Sequence, residues 1–177
     1  MQNIDKALQA ISRALAFFAG VCLIMMMVHV VADVAAKYVL NMPIEGTLEI
    51  VSAYYMVAVV FLPLAIVELR REHIYVDMFV RQLPMRPRVW LYAFTGILTA
   101  GFFGLLAYVT FGAAMHSFKI NEMMMGTSFI VVWPGRWFLP IGFGAVTLAI
   151  VLHVIKALLR PEEYIDAVAA PENVAVD

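Results

Sequence analysis

Four stretches of this chain hold no Asp, Glu, Lys or Arg: Ala14–Ala32, Ile50–Val67, Val89–Phe118 and Trp137–Ile155. A helix needs about 20 mostly apolar residues to cross a hydrocarbon core roughly 30 Å thick. Each stretch is about that long, and the third has length to spare for tilt or for emergence. All 25 charged residues (12 Lys plus Arg, 13 Asp plus Glu) crowd into the rest of the 177 positions. There they reach about the one-in-four density of a soluble surface. This partition excludes a soluble globule and a disordered chain. It also excludes barrel strands, which alternate over only about 9–11 residues. Backbone polar groups in lipid must be paired within the segment, so the stretches are helices. The fold class predicted is an all-α membrane protein with four transmembrane helices, at about residues 14–36, 48–68, 89–116 and 136–157. They form a single integral membrane domain over 1–177. The remainder is too short for a separate soluble domain.

Orientation follows from basic residues, which accumulate on the cytoplasmic side of short loops. With four crossings, the N-terminus, the middle connection and the C-terminus share one side. That side carries Lys6, Arg13, Arg70, Arg71, Arg81, Arg86, Arg88, Lys156 and Arg160; the other carries only Lys37, Lys119 and Arg136. Both termini are therefore expected in the cytoplasm. Lys6 and Arg13 precede an apolar run ending Val30-Val31-Ala32, which is longer than the usual signal-peptide core of about 7–15 residues. A retained first helix is expected. Cys22, the only cysteine, falls mid-helix and reads as a small buried apolar residue. The acidic, Ala-rich tail 161–177, with Pro161 and Pro171, is expected to be partly disordered.

The connections carry most of the polar pattern. At the first one, Asp33 and Lys37 are four apart on one helix face. Pro43 breaks the first helix, Thr47 is placed to cap the second, and Glu49 falls in its first turn, where the helix dipole favours a carboxylate. Lys37 can meet Asp33 or Glu49 across this corner. In the middle connection, Val76, Phe79, Val80 and Leu83 follow the spacing of one helical face, and Asp77 and Arg81 can pair on another. The segment from about Glu68 to Arg88 is expected to be a short amphipathic interface helix between crossings two and three, ended by Pro84 and followed by Pro87. The third connection has no charge from Met123 to Gly135. Too short to span, it is expected to dip into or lie along the membrane, packed against protein, with Trp133 and Trp137 at headgroup depth. Pro140 lies near the start of the fourth helix, where it is tolerated. In the third helix Gly96, Ala100 and Gly104, spaced by four, let another helix approach closely, and internal packing is the expectation.

Chemistry-bearing motifs are absent from the sequence. No phosphate-binding G-x-x-x-x-G-K-[ST], no G-x-S-x-G elbow and no zinc pattern occurs. No catalytic, cofactor or metal site is therefore assigned. His29 and His153 lie near opposite ends of their helices, while His29 and His116 fall at similar depth, so a haem-holding redox anchor is one alternative. A stand-alone four-helix transporter is the other. A carrier acting alone needs ionisable or unwound positions near mid-membrane, and here Asp33, Glu49, Glu68 and Lys119 all lie at helix ends. The charge distribution suits a membrane scaffold or accessory subunit.

The run Asp33-Val34, Lys37-Tyr38-Val39-Leu40-Asn41, Pro43, Gly46, Glu49 resembles the first corner of the small membrane subunit (DctQ-type) of tripartite ATP-independent periplasmic (TRAP) transporters. That family usually has Arg at the position of Lys37 and Phe near Leu40. Phe61, the stretch His73-Ile74-Tyr75-Val76-Asp77, and Pro140-Ile141-Gly142 are similar to further family motifs, in the same order, over about residues 8–160. Trp133-Pro134-Gly135-Arg136 departs from the family, which more often places a Pro a few residues before a Trp. The resemblance implies a bacterial or archaeal inner-membrane protein that pairs with a large, roughly twelve-helix subunit. The large subunit carries an organic acid in an elevator motion driven by sodium. A soluble periplasmic binding protein delivers the substrate. The small subunit enlarges the membrane scaffold, supplies part of the docking surface, and is not expected to touch substrate or nucleic acid. On this reading Asp33, Lys37, Asn41 and Glu49 knit the external corner, and His73 and Asp77 fix the interface helix.

Overall fold

The computed structural model of the chain describes residues 2–70, 85–125 and 129–159. It holds four helices long and apolar enough to cross a membrane: Lys6–Leu40, Thr47–Leu69, Ala93–Ile120 and Trp133–Leu159. The expected interface helix with His73 and Asp77 falls mostly, and the 161–177 tail wholly, outside the described residues.

The first crossing belongs to α1, Gln2–Leu40, 39 residues long. At 1.5 Å per residue that is about 58 Å, nearly twice the hydrocarbon core, so α1 extends beyond the bilayer or tilts strongly. It stops at Asn41, whose φ of 51° is left-handed. Asn tolerates that conformation better than other residues with a side chain, and Pro43 follows close behind. The same device, Asn121 at φ 51°, ends α5, Met85–Ile120, which contains the third crossing.

The second crossing, expected at about residues 48–68, is interrupted twice. It runs as α2 (Thr47–Ile50), a π-helical turn (Val51–Tyr55), α3 (Met56–Phe61), a Leu62-Pro63 turn and α4 (Leu64–Arg70). Pro63 accounts for the second break. It has no N–H for the Val59 carbonyl, and its ring crowds that oxygen. The Ile66 and Val67 N–H groups both turn to the Pro63 carbonyl, at 3.1 and 3.2 Å. The π turn has no comparable signal in the sequence.

The third connection takes a backbone form that its sequence did not specify. It forms an antiparallel β-hairpin, β1 (Met123–Met125) with β2 (Phe129–Val131), in the register Met123↔Val131, Met124↔Ile130, Met125↔Phe129. A short helix α6 (Trp133–Arg136) then leads through Trp137 into α7 (Phe138–Leu159).

The fourth crossing is central. A third of its most apolar window is buried (33%), against 6% for the third crossing and 11% for the first. One core cluster joins Ala65, Ala145, Val146 and Ile150 to Leu15, Ala100, Phe103 and Val154; a second joins Ala19, Ala58 and Leu62 to Cys22 and Phe138. Both contain alanines (Ala65, Ala145 and Ala100; Ala19 and Ala58), small side chains that let helix backbones approach closely, as membrane packing by dispersion favours. Phe143 of α7 bridges Phe61 and Phe103, with ring centroids 5.2 and 6.0 Å away. The outward faces of α1 and α5 carry large exposed apolar side chains, among them Phe17, Val31, Trp90, Phe94 and Tyr108. A soluble protein rarely shows so wide an apolar surface; here it is the face offered to lipid or to partner helices.

Candidate functional site

No group of three or more His, Cys, Asp or Glu converges among the described residues. His29 packs edge-on against Tyr55, centroids 6.0 Å apart, and His116 lies exposed on α5. The polar side chains are instead used to fasten helix ends together, mostly at the end of the bundle that carries the Asn41–Gly46 turn, called here the corner end.

The corner itself hangs on Asp33. Its Oδ1 accepts the Ile44 N–H at 2.7 Å, eleven residues along the chain. The carboxylate thus satisfies a donor that the turn would otherwise leave unpaired, and a charged acceptor makes the bond strong. Lys37, expected to pair with Asp33 or Glu49, is exposed and forms no ion pair among the described residues. The Ile44 backbone amide takes the carboxylate instead. Thr47 does not cap the second crossing through its side chain. The cap is Gly46, at φ 83°, while the buried Thr47 hydroxyl donates to the Ile44 carbonyl at 3.0 Å. Glu49 keeps its expected place in the first turn. Asn41 and Pro43 are exposed, and their part here is backbone geometry.

A second polar knot binds the hairpin, through residues the sequence reading passed over. Glu122, between Asn121 and β1, is its centre. Its carboxylate accepts the hydroxyl of fully buried Ser117 and the Arg136 guanidinium, the latter at 2.5 Å. Its carbonyl accepts the Val132 N–H at 2.9 Å. Glu122 so ties the end of α5 to both strands' exit. The available signal was that Glu122 and Arg136 are opposite charges bracketing the uncharged run. Trp133 stacks edge-on against Phe118, centroids 5.0 Å apart, and Trp137 against Phe111, 5.6 Å apart.

The hairpin also docks on the irregular second crossing. The Tyr54 hydroxyl donates to the Val131 carbonyl. A Cβ on Gly135 would overlap the Ala53 carbonyl oxygen and lie 3.1 Å from its carbon. Seven residues on, a Cβ on Gly142 would overlap the Phe61 carbonyl oxygen and lie 2.8 Å from its carbon. The two close backbone approaches of the fourth crossing thus fall where the second is irregular, in the π turn and just before Leu62-Pro63. They bring Phe61 against Gly142 of the Pro140-Ile141-Gly142 stretch; Pro140 itself is buried in the first turn of α7.

The small-residue stripe of α5 faces the fourth crossing. Gly96 lies against Val154, Gly104 has Thr147 Cγ2 3.6 Å from where a Cβ would be, and Ala100 packs on the first core cluster. At the end opposite the corner, Glu68 and His153 approach across crossings two and four, Oε1 to Nδ1 3.8 Å, with side chains 14% and 12% exposed.

Among the described residues the arrangement fastens helices and lines no pathway of ionisable groups through the bundle centre. The family model described as "Tripartite ATP-independent periplasmic transporters, DctQ component" matches residues 26–160. Neither a curated protein nor a solved structure matches the chain.

Proposed function

Because this chain belongs to the DctQ family of components of tripartite ATP-independent periplasmic transporters, we propose that it is the scaffold subunit of a sodium-driven system for organic-acid uptake. In this reading it lies in the cytoplasmic membrane with both termini inside and the corner end facing out. The large subunit binds and moves the substrate; this chain gives it a wide, fixed footing in the bilayer. The observation that carries the reading is where the polar groups are spent. Asp33, Ser117, Glu122 and Arg136 each close a contact between segments of this chain, and the apolar faces of α1 and α5 stay uncovered for lipid or a partner.

The soluble binding protein would meet the corner. The turn is exposed from Asn41 to Glu45, with Lys37 beside it, and charge of that kind steers encounter and register. On the opposite side, His73 and Asp77 would hold the interface helix at the cytoplasmic edge. The chain performs no catalysis and binds no cofactor in this account.

Proteoliposomes test the division of labour. Large subunit, small subunit and binding protein together should give organic-acid uptake that needs a sodium gradient, and removing this chain should abolish or sharply reduce it. Substrate flux through this chain alone would refute the scaffold reading. Lys37→Glu should impair assembly or uptake, and undiminished complex yield and transport would remove the corner from the docking surface. Asp77→Ala leaving assembly and stability unchanged would do the same for the interface helix.

A further inference from the structure

We propose that the paired strands Met123–Met125 and Phe129–Val131 form an interfacial lipid anchor, seated in the headgroup–acyl boundary at the corner end of the bundle. The inference needs only that the four helices cross a bilayer. Charge is the first ground. No Asp, Glu, Lys or Arg occurs from Met123 to Gly135, and the flanking Glu122 and Arg136 are bonded to each other. Exposure is the second. Phe129 is 79% exposed, Met123 on the same face is exposed too, and so is Met124 on the other. Apolar side chains presented by an uncharged segment match the acyl boundary, where interfacial elements bury their apolar face.

Depth is the third ground. The chain after β2 is pressed against Ala53 through Gly135. Ala53 is four residues inward from Glu49, about 6 Å along the helix. Strands of three residues reach about 10 Å, and the headgroup zone adds roughly 5–8 Å beyond the core on each side. A hairpin based at that level stays within the zone when it lies along the surface, as the proposal requires. Trp133 and Trp137 flank it, as indoles do at headgroup level. The backbone then fixes how deep it can go. β1 and β2 pair only with each other among the described residues, so apart from the Val131 carbonyl, which accepts the Tyr54 hydroxyl, their outward N–H and C=O groups have no backbone partner there. Hydrocarbon would not tolerate these, whereas headgroups and their water satisfy them. A soluble partner fits less well, because the hairpin offers no charge to orient it.

The test uses the full chain in nanodiscs, with Cys22→Ala and a single Phe129→Cys carrying a bimane fluorophore. Lipids bearing a nitroxide at the headgroup or high on the acyl chain should quench the label several-fold more than lipids with a nitroxide near the chain end. A membrane-impermeant maleimide should react several-fold more slowly than with Glu45→Cys, at the exposed corner. Fast labelling without lipid quenching would overturn the proposal in favour of an aqueous docking face. Slow labelling without quenching would overturn it in favour of a protein cover. Met123→Cys, on the other strand and on the same face of the hairpin as Phe129, gives the same reading should Phe129→Cys fold poorly.

Discussion

The meeting of Gly142 with the Phe61 carbonyl makes a demanding prediction, because a neutral partner substitution lies two residues away. An added Cβ at Gly142 would overlap the Phe61 oxygen and lie 2.8 Å from its carbon and 3.2 Å from its Cβ. The first of these is a backbone atom that cannot rotate away, so α7 must move back by about 1 Å to reach ordinary contact. That would loosen the Phe61–Phe143–Phe103 ring contacts as well. Overpacking of this kind costs about 1–3 kcal/mol. At Gly144 an added Cβ meets nothing within 4 Å. Both Gly→Ala changes gain the same helix propensity, up to about 1 kcal/mol, so their difference isolates the clash. Reversible SDS unfolding of the two variants in mixed micelles should separate them by about 1–3 kcal/mol, or ~5- to ~150-fold in the unfolding constant. Gly144→Ala should be as stable as the parent or more so. Equal stabilities for the two variants would show that the second and fourth crossings do not meet as described.

Three further predictions rest on other contacts. Asp33→Ala removes the acceptor of the Ile44 N–H at an exposed turn, where water can replace it, and should cost about 0.5–1.5 kcal/mol; Asp33→Asn keeps an oxygen there and should recover at least half of the loss in the same unfolding assay. Gly96→Ala drives a Cβ into Val154 Cγ2, so it should destabilise alone and be rescued by Val154→Ala, which a double-mutant cycle reads as coupling. Glu122→Arg should raise amide exchange across β1 and β2, and adding Arg136→Glu should restore part of the protection. The restored part should be modest, about 1 kcal/mol or less, because Arg136 is 44% exposed.

The four crossings were legible because hydrocarbon excludes charge, so missing Asp, Glu, Lys and Arg mark them directly. Helix ends were nearly as plain at Pro43. The hairpin was not legible. Met123-Met124-Met125 and Phe129-Ile130-Val131 are uncharged runs too short for their periodicity to separate strand from an interface-lying segment. Pro63 was a visible signal for the broken second crossing, but the π turn beside it had none. At the corner the expected ion pair of Lys37 is not formed among the described residues. The i to i+4 spacing of Asp33 and Lys37 pointed to an ion pair, while the turn folded Ile44 back to within 2.7 Å of the carboxylate. Such a contact depends on the path of the loop, which side-chain spacing does not encode. Glu122 and Ser117 escaped notice for the same reason: five residues apart across a helix end, they match no helical repeat.

The central claim is that this chain is one part of a larger membrane machine. Gentle extraction of a tagged copy from its native membranes, followed by mass measurement of the intact particle, tests that most directly. The account predicts recovery in fixed stoichiometry with a much larger polytopic membrane protein, and with a soluble periplasmic protein once crosslinked. A particle containing only this chain, alone or as copies of itself, would contradict it.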